Sequence, residues 1–520
     1  MNDHSLQNYQ QADEQRNLAM TYASRAMIQR WAGKADESLK SLQTAQQIFT
    51  NIGDKESLGT TLGRIASFYS MSGDLKKSEQ NYKAAIELLK STKSLPYLEG
   101  NLEALARIKN QTSNKDEARQ LYMQALEIER TLKNRKGMAD GLVDLALLDN
   151  REDELRTAIQ YNDGLLKDFK KEKNVEGQFS VLVNLESLYQ ANNDIPNTTR
   201  IVREKLPIIR SFRNPQRWAS ELQSCGFTLA DSGLLKEAEA LGKEVINAKE
   251  PMFKLGQYLL FEVYWSQANM TELKKILSEF QHDQSGVTWS GTTYAIKLEG
   301  SMDFEAGDLS EAEKRFTEVI KRSTYGKEFD WVFWATLNMA NLYTARADYQ
   351  RAEQFFEQAH QKAKQESSEK LIIAYHTQLG EYYCSREKFK EAQKEWTIAA
   401  DYYEKEKIMA AKIAAQTRIA DCLILQGNLE KGSQSLGSIN EADPVIREMF
   451  WDLADIRSAK ARLFAAQRKY DQAVPLLNEI IKKAGQEGLV RLQLETNLIL
   501  ADVEIQAGKK AEGTSLLQAI

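Results

Sequence analysis

Histidine and cysteine are the side chains of this sequence best suited to metal binding or nucleophilic chemistry, and both are scarce. The chain of 520 residues has four histidines, none with another histidine or a cysteine three to five residues away to share a metal ion. They are His4, His282, His360 and His376. Of the cysteines Cys225, Cys384 and Cys422, the last two have no basic cluster beside them, which favours buried structural thiols. The sequence therefore predicts no metal site and no cofactor.

The glycine-rich and acidic stretches also lack the residue spacing of phosphate-binding or catalytic motifs. The run Gly427-Asn428-Leu429-Glu430-Lys431-Gly432-Ser433 lacks the Gly-Lys-Ser/Thr ending of a phosphate-binding loop. Adjacent acids such as Glu152 and Asp153 are typical of turns and helix caps. We therefore expect a protein that is not an enzyme.

A pattern of small and bulky residues around a turn repeats along the chain. After the turn residue Gly73, Ser78, Tyr82 and Ala85 lie five, nine and twelve residues on, which places them on one stripe of a helix. Ala66 lies seven residues before the turn, in a preceding helix. Glycine suits the turn because it has no Cβ to oppose a positive φ. The unit is helix, short turn, helix.

The unit recurs at a spacing close to 40 residues, with one step of 35 between Gly233 and Ala268. The predicted turn residues are Gly33, Gly73, Ser113, Asp153, Asn193, Gly233, Ala268, Gly307, Ala347, Glu387, Gly427, Arg468 and Gly508. Most positions seven before and five after the turn are Ala, Gly or Ser, which indicates that the paired helices cross closely there. Thirteen such units fill the chain and leave no room for a second fold.

The segments Leu379-Gly380-Glu381-Tyr382-Tyr383 and Glu387-Lys388-Phe389, followed by Ala392, Trp396 and Ala399, resemble the tetratricopeptide repeat. The resemblance covers essentially the whole chain. It implies an all-α, right-handed superhelical solenoid of about 13 helix-turn-helix repeats. The 40-residue period and the scarcity of proline resemble the longer repeats of bacterial regulators related to the maltose activator and of similar signalling kinases. That similarity implies a regulatory part of a larger signalling or transcription-regulating protein, with a covalently linked output domain outside this segment.

Composition and charge favour a cytoplasmic protein. The formal net charge of −5, with acids and bases interspersed, does not suggest a nucleic-acid binder. Three widely spaced cysteines argue for a reducing compartment. The N-terminal residues lack a secretion signal, and no apolar run approaches the length of a membrane span.

The repeats divide into four predicted segments. Residues 1–16 form a polar lead-in, 17–250 hold repeats one to six, 251–306 hold irregular repeats seven and eight, and 307–520 hold repeats nine to thirteen. In the irregular part Phe261 and Leu273 replace small residues, and Asp283-Gln284-Ser285-Gly286 is a loop signal. Two interpretations stay open there: a hinge or ligand-binding widening, and a repeat whose core has larger side chains.

Three further features depart from the regular pattern. Pro207 should kink or end its helix because it lacks a backbone donor. Six basic residues between Arg200 and Arg217 form either a docking patch or, as we prefer, a solvated face. The apolar end at Leu516, Leu517 and Ile520 suggests either a longer natural chain or pairing with another copy.

In tetratricopeptide repeats the first helix of each unit lines the concave face, and its slots carry polar and aromatic residues here. The predicted peptide-binding residues are Arg30, Trp31, Arg64, Arg107, Asn110, Arg151, Asn184, Gln223, Tyr258, Trp265, Tyr294, Trp334 and Asn341, with Gln190 and Arg462 in similar slots. Arginine binds carboxylates, amides bind a peptide backbone, and aromatic rings provide anchors. The sequence thus predicts a scaffold that binds a peptide or protein segment carrying acidic groups.

Two alternatives to peptide binding remain. The arginines could instead pair with acids of adjacent repeats, such as Glu103 and Asp144, and the aromatic rings could pack between helices. A different function is a sensor of a small molecule or signalling peptide, with the aromatic section from Tyr258 to Tyr294 as its pocket.

Overall fold

The computed structural model describes residues 3–519 except 33, 113, 249–252, 283–288, 327–328 and 367. Within these residues the chain is all-α, with 27 helices and no strand. The helices are α1 Asp3–Trp31, α2 Ala35–Ile52, α3 Lys55–Met71, α4 Leu75–Thr92, α5 Leu95–Gln111, α6 Lys115–Leu132, α7 Arg135–Asp149, α8 Glu152–Lys171, α9 Val175–Ala191, α10 Ile195–Arg210, α11 Pro215–Asp231, α12 Leu235–Ile246, α13 Phe253–Ser266, α14 Met270–His282, α15 Trp289–Glu305, α16 Leu309–Gly326, α17 Phe329–Ala345, α18 Tyr349–Gln365, α19 Glu369–Ser385, α20 Phe389–Lys405, α21 Met409–Leu425, α22 Leu429–Gly437, α23 Pro444–Arg447, α24 Phe450–Ala466, α25 Tyr470–Glu487, α26 Val490–Gln506 and α27 Lys510–Ala519.

These helices confirm the predicted repeat solenoid. Apart from the short α23, they alternate as the first and second helices of the predicted hairpins. The chain divides into unit 1, Met1–Asn192, with α1 to α9, and unit 2, Asn193–Ile520, with α10 to α27. The predicted segment boundaries at 250/251 and 306/307 stay predictions, as does the handedness of the superhelix. The lead-in is not separate from the first repeat helix, since α1 runs from Asp3 to Trp31 without a break.

Left-handed backbone marks the predicted turns. Ten of the thirteen turn residues have positive φ: Gly73, Asn193, Gly233, Ala268, Gly307, Ala347, Glu387, Gly427, Arg468 and Gly508. Gly33 and Ser113 lie outside the described residues. The assignment of Asp153 is wrong, because Asp153 lies in the first turn of α8 and Asn150 takes the left-handed conformation at φ 52. Asparagine tolerates that region, and the acids that follow it suit a helix N-terminus.

In the regular hairpins, the small residue of the first helix and the small residue of the second helix meet where the two helices cross. Where the second-helix position is serine, its hydroxyl donates to the backbone carbonyl of the first-helix residue: Ser38 to Ala26 at 2.8 Å and Ser78 to Ala66 at 2.9 Å. Where it is glycine, an added Cβ would lie 2.7 Å from a carbonyl oxygen, as at Gly513 against Ala501. Only a small side chain fits between backbones this close.

Apolar residues of successive hairpins form shared cores. One core joins Ala66 of α3, Tyr82 and Leu89 of α4, Leu102 of α5 and Ala125 of α6. Each hairpin therefore buries its apolar surface against the next, as in other repeat folds.

The irregular repeats fill the crossing with larger side chains. Phe261 and Leu273 are fully buried, and α12, α13 and α14 have 12, 14 and 13 residues. The predicted loop Asp283–Gly286 lies outside the described residues.

The prediction that Pro207 ends its helix is wrong, whereas the preferred interpretation of the basic cluster as a solvated face stays a prediction. The helix does not end at Pro207 but continues to Arg210. The basic cluster is not a free patch, because Arg203 and Arg210 each form an ion pair of 2.7 Å, with Glu237 and Glu244 of α12.

Repeats far apart in sequence touch within unit 2. The indole N–H of Trp451 donates to the backbone carbonyl of Trp265 at 2.8 Å, and the two rings stack with centroids 5.4 Å apart. Glu487 accepts from the backbone N–H of Thr271 at 3.2 Å, at the start of α14. These contacts join α13 and α14 to α24 and α25.

Among the described residues, no helix is long and apolar enough to cross a membrane.

Adding one methyl group at a crossing should destabilise the fold. A Cβ at Gly380 would lie 2.4 Å from Nε1 of Trp396, which is buried and donates to the carbonyl of Thr377. We expect Gly380→Ala to lower the free energy of unfolding by about 1–3 kcal/mol through overpacking, measured by urea denaturation.

Gly164→Ala is the matched control, because a Cβ at this helical position meets nothing within 4 Å. It should raise the free energy of unfolding by roughly 0.5–1 kcal/mol through helix propensity. Equal effects of the two variants would show that the crossings tolerate side chains.

Candidate functional site

The first helices of unit 2 carry a row of polar and aromatic side chains that are not fully buried. We call this row the unit 2 wall. It consists of Trp334 and Asn341 on α17, Gln378 and Glu381 on α19, Arg418 and Asp421 on α21, and Asp455 and Arg462 on α24. Hydrogen bonds and ion pairs link these helices in order, so the polar groups are held in fixed positions.

An amide pair forms one end of the unit 2 wall. Nδ2 of Asn341 donates to Oε1 of Gln378 at 2.6 Å. Trp334 lies two helical turns before Asn341 on the same face of α17, and its side chain is 38% exposed. The wall thus presents an accessible indole next to a fixed pair of amides.

Charged pairs form the other end of the wall. Arg418 binds Glu381 of α19 through Nε, and its Nη2 lies 3.1 Å from Oδ2 of Asp455 of α24. Nη1 of Arg462 lies 2.6 Å from Oδ2 of Asp421. One arginine therefore connects three successive first helices.

The carboxyl of Asp455 titrates in an unusual setting within the wall. Burial is the main cause that raises its pKa to about 7, with Glu381 and Asp452 acting in the same direction and Arg418 opposing them. Its side chain nevertheless keeps 43% of its surface exposed.

The predicted aromatic residues of unit 2 mostly contact one another or the neighbouring repeat. The rings of Tyr258 and Tyr294 lie 6.0 Å from the ring of Phe261, and the buried Phe280 packs against Tyr258 at 5.5 Å. Trp265 stacks on Trp451 as described above. The hydroxyl of Tyr294 donates to Glu262, and Gln223 donates to the carbonyl of Leu255 at 2.9 Å. These rings fill the space between α13, α14 and α15 themselves.

In unit 1 most of the predicted residues from α5 onward pair with neighbours. Nη1 of Arg107 lies 3.6 Å from a carboxylate oxygen of Glu103 and of Asp144, the arrangement that the alternative interpretation named. Asn184 donates to Asp140 at 2.8 Å, and Arg151 lies 3.9 Å from Asp149. Asn110 and Gln190 are exposed.

Arg30, Trp31 and Arg64 lie on exposed surface at the start of unit 1, and the structure adds three methionines that the sequence reasoning missed. Nη2 of Arg30 lies 2.7 Å from Sδ of Met71 on α3. Met20 and Met27 share a face of α1 with Trp31, since they lie eleven and four residues before it. Met20, Met27 and Trp31 occupy positions of the first helix that were predicted to line the concave face, and this spacing was the sequence signal for the surface.

A cavity of about 550 Å³ lies elsewhere in unit 2, where α10 begins near α21 and the segment that joins α22 to α23. Its lining is largely apolar and includes Ile195, Ile413 and Ile446.

The cysteine and histidine positions favour structural roles. Sγ of Cys422 lies 3.9 Å from Sγ of Cys384, and this contact together with burial raises the pKa of the Cys422 thiol. A raised pKa keeps a thiol protonated and a poor nucleophile. His376 contacts Glu395 of α20 at 2.6 Å, which makes it an interhelical residue.

Parts of this chain are similar to known repeat profiles and to solved structures. Sequence profiles of the tetratricopeptide repeat match residues 17–91, 101–132 and 335–370. Among solved structures, a Rap protein complexed with competence and sporulation factor is 11% identical, with 67% of this chain and 96% of that chain covered and a TM-score of 0.48. The protein BtubC (BKLC) from P. vanneervenii is 19% identical, with 43% and 94% covered and a TM-score of 0.33. No curated protein matches the sequence.

The profile matches lie in both units and agree with the helical hairpins described above. Residues 17–91, 101–132 and 335–370 therefore carry tetratricopeptide repeats.

Proposed function

We propose that the chain is a protein-interaction scaffold that holds a peptide or protein segment along the faces of its first helices. Repeats of this family are typically interaction modules rather than catalysts. The specific site proposed is the unit 2 wall, from Trp334 to Asp455. We further propose, from the resemblance to long-repeat regulators, that the chain is the regulatory part of a larger bacterial signalling or transcription-regulating protein.

The amide pair of Asn341 and Gln378 carries this proposal. Their mutual hydrogen bond uses one donor and one acceptor, which leaves Oδ1 of Asn341 as an acceptor and Nε2 of Gln378 as a donor. A peptide group presents one N–H donor and one C=O acceptor. The pair is thus complementary to the backbone of an extended segment whatever its side chains are.

The neighbouring groups would add affinity and selectivity. Trp334 offers a rigid, partly exposed ring for an apolar side chain. Asp455 and Glu381 offer carboxylates that Arg418 holds in place between them.

The aromatic rings near Tyr258 and Tyr294 favour the peptide function over the small-molecule sensor. They pack against Phe261 and Phe280, so ring faces that a ligand would need are used within the repeat. We therefore do not place a ligand there.

Replacing both amides should remove peptide binding. Twelve-residue peptides selected from a random phage library on the immobilised full chain should bind the double variant Asn341→Ala/Gln378→Ala about tenfold or more weakly. Each lost hydrogen bond contributes roughly 0.5–1.5 kcal/mol. The dissociation constants are measured by isothermal titration calorimetry.

Gln361→Ala on the second helix α18 is the control, because Gln361 is exposed and bonds only Glu357 four residues away. It should leave the affinity unchanged. If the library yields no binder, or if both variants bind like the parent chain, the wall is not a peptide site.

The raised pKa of Asp455 predicts a pH-dependent stability. Because the pKa of about 7 in the folded protein lies above the ordinary value of 3.8, the carboxyl does not destabilise the folded state at low pH and destabilises it as pH rises from about 4 to 8. Asp455→Asn should therefore raise the melting temperature relative to the parent chain at pH 8 and have little effect near pH 4.

Glu127→Gln, on the exposed surface of α6, serves as the reference for this comparison. Its effect on the melting temperature should vary much less with pH. A difference between Asp455→Asn and the parent chain that is constant from pH 4 to pH 8 would contradict the raised pKa of Asp455.

A further inference from the structure

We infer that the start of unit 1 is a second docking surface, and that it takes an acidic amphipathic segment of a partner protein. The surface consists of Met20, Met27, Arg30 and Trp31 on α1 and Arg64 and Met71 on α3; we call it the α1–α3 surface. This inference extends the proposed interaction function to a separate place and a defined partner chemistry. It does not use the unit 2 wall.

Large apolar side chains are exposed together on the α1–α3 surface. Trp31 is 80% exposed, Met71 68%, Met20 53% and Met27 42%. Met20, Met27 and Trp31 recur at intervals of seven and four residues, so they form one stripe along α1 beside the buried stripe of Ala19, Ala23 and Ala26. Methionine suits a docking surface because its flexible side chain adapts to different partners.

Two arginines on the same surface lack carboxylate partners among the residues described. Arg30 contacts Met71, and Arg64 lies two helical turns before Met71 on the same face of α3. Farther along unit 1 the arginines are paired: Arg107 with Glu103 and Asp144, Arg119 with Asp149 and Glu154. The positive charge beside the exposed methionines is therefore uncompensated within the described part of unit 1.

The charge and the length of the stripe define the partner. Eleven residues separate Met20 from Trp31, which corresponds to about 16 Å along α1, or roughly three helical turns. An amphipathic helix of that length would place its apolar face on the methionines and Trp31, and its flanking carboxylates on Arg30 and Arg64. A second copy fits less well, because a symmetric pair would bring arginines against arginines.

The probe is a designed fluorescein-labelled helical peptide of 14 residues with leucines on one face and glutamates on its flanks. A second peptide has glutamine in place of every glutamate. Fluorescence anisotropy with the full chain should give roughly tenfold or tighter binding for the glutamate peptide. The double variant Arg30→Gln/Arg64→Gln should abolish that preference, and Trp31→Ala should weaken both peptides by about tenfold or more.

Met123→Ala and Arg130→Gln on the second helix α6 are matched controls, because both residues are exposed in the same unit. They should bind like the parent chain. Equal affinity for the two peptides, or equal losses in the controls, would overturn the inference. So would a dimer of the chain alone, seen by sedimentation velocity, that Trp31→Ala dissociates, since a second copy would then occupy the surface.

The Asn341→Ala/Gln378→Ala variant separates this inference from the proposed function. It should bind the glutamate peptide like the parent chain, whereas Trp31→Ala should still bind the library peptides selected on the full chain. If only one of these binding activities is found, the site that lacks it is wrong and the other stands.

Discussion

The close crossing of paired helices is the constraint on which the rest of the structure depends. At regular crossings the backbones lie close together, as the hydroxyl of Ser78 on the carbonyl of Ala66 and the lack of room for a Cβ at Gly513 show. A hairpin held this closely has little freedom to change its angle. Where neighbouring hairpins share a core, as α3 to α6 do, the crossings set the positions of the first helices.

The crossings also give the two helices of a hairpin different roles. Second helices use their apolar stripes for packing, as Trp396 of α20 does against Gly380 of α19. First helices have a further face that lies outside these contacts. In unit 2 this face carries linked amides and charges, and at the start of unit 1 it carries methionines and unpaired arginines. The two surfaces therefore differ in chemistry although the repeats beneath them are alike.

Much of the fold could be predicted because its signal is periodic. The spacing alone located ten left-handed turns, and it failed at Asp153 because asparagine three residues earlier can take the same conformation. The site was less predictable. Arg107 pairs with Asp144, 37 residues away, whereas Arg64 has no carboxylate partner among the described residues, and the packing of Trp265 on Trp451 joins repeats 186 residues apart. Contacts at such separations are not encoded in the local spacing.

The central claim is that first helices recognise a partner and second helices hold the scaffold. Amide hydrogen exchange of the full chain, with and without a library-selected peptide, tests it most directly. The account predicts that bound peptide slows exchange in α17 and α19 and leaves α18 and α20 nearly unchanged. Slower exchange in α18 and α20, with α17 and α19 unaffected, would contradict it.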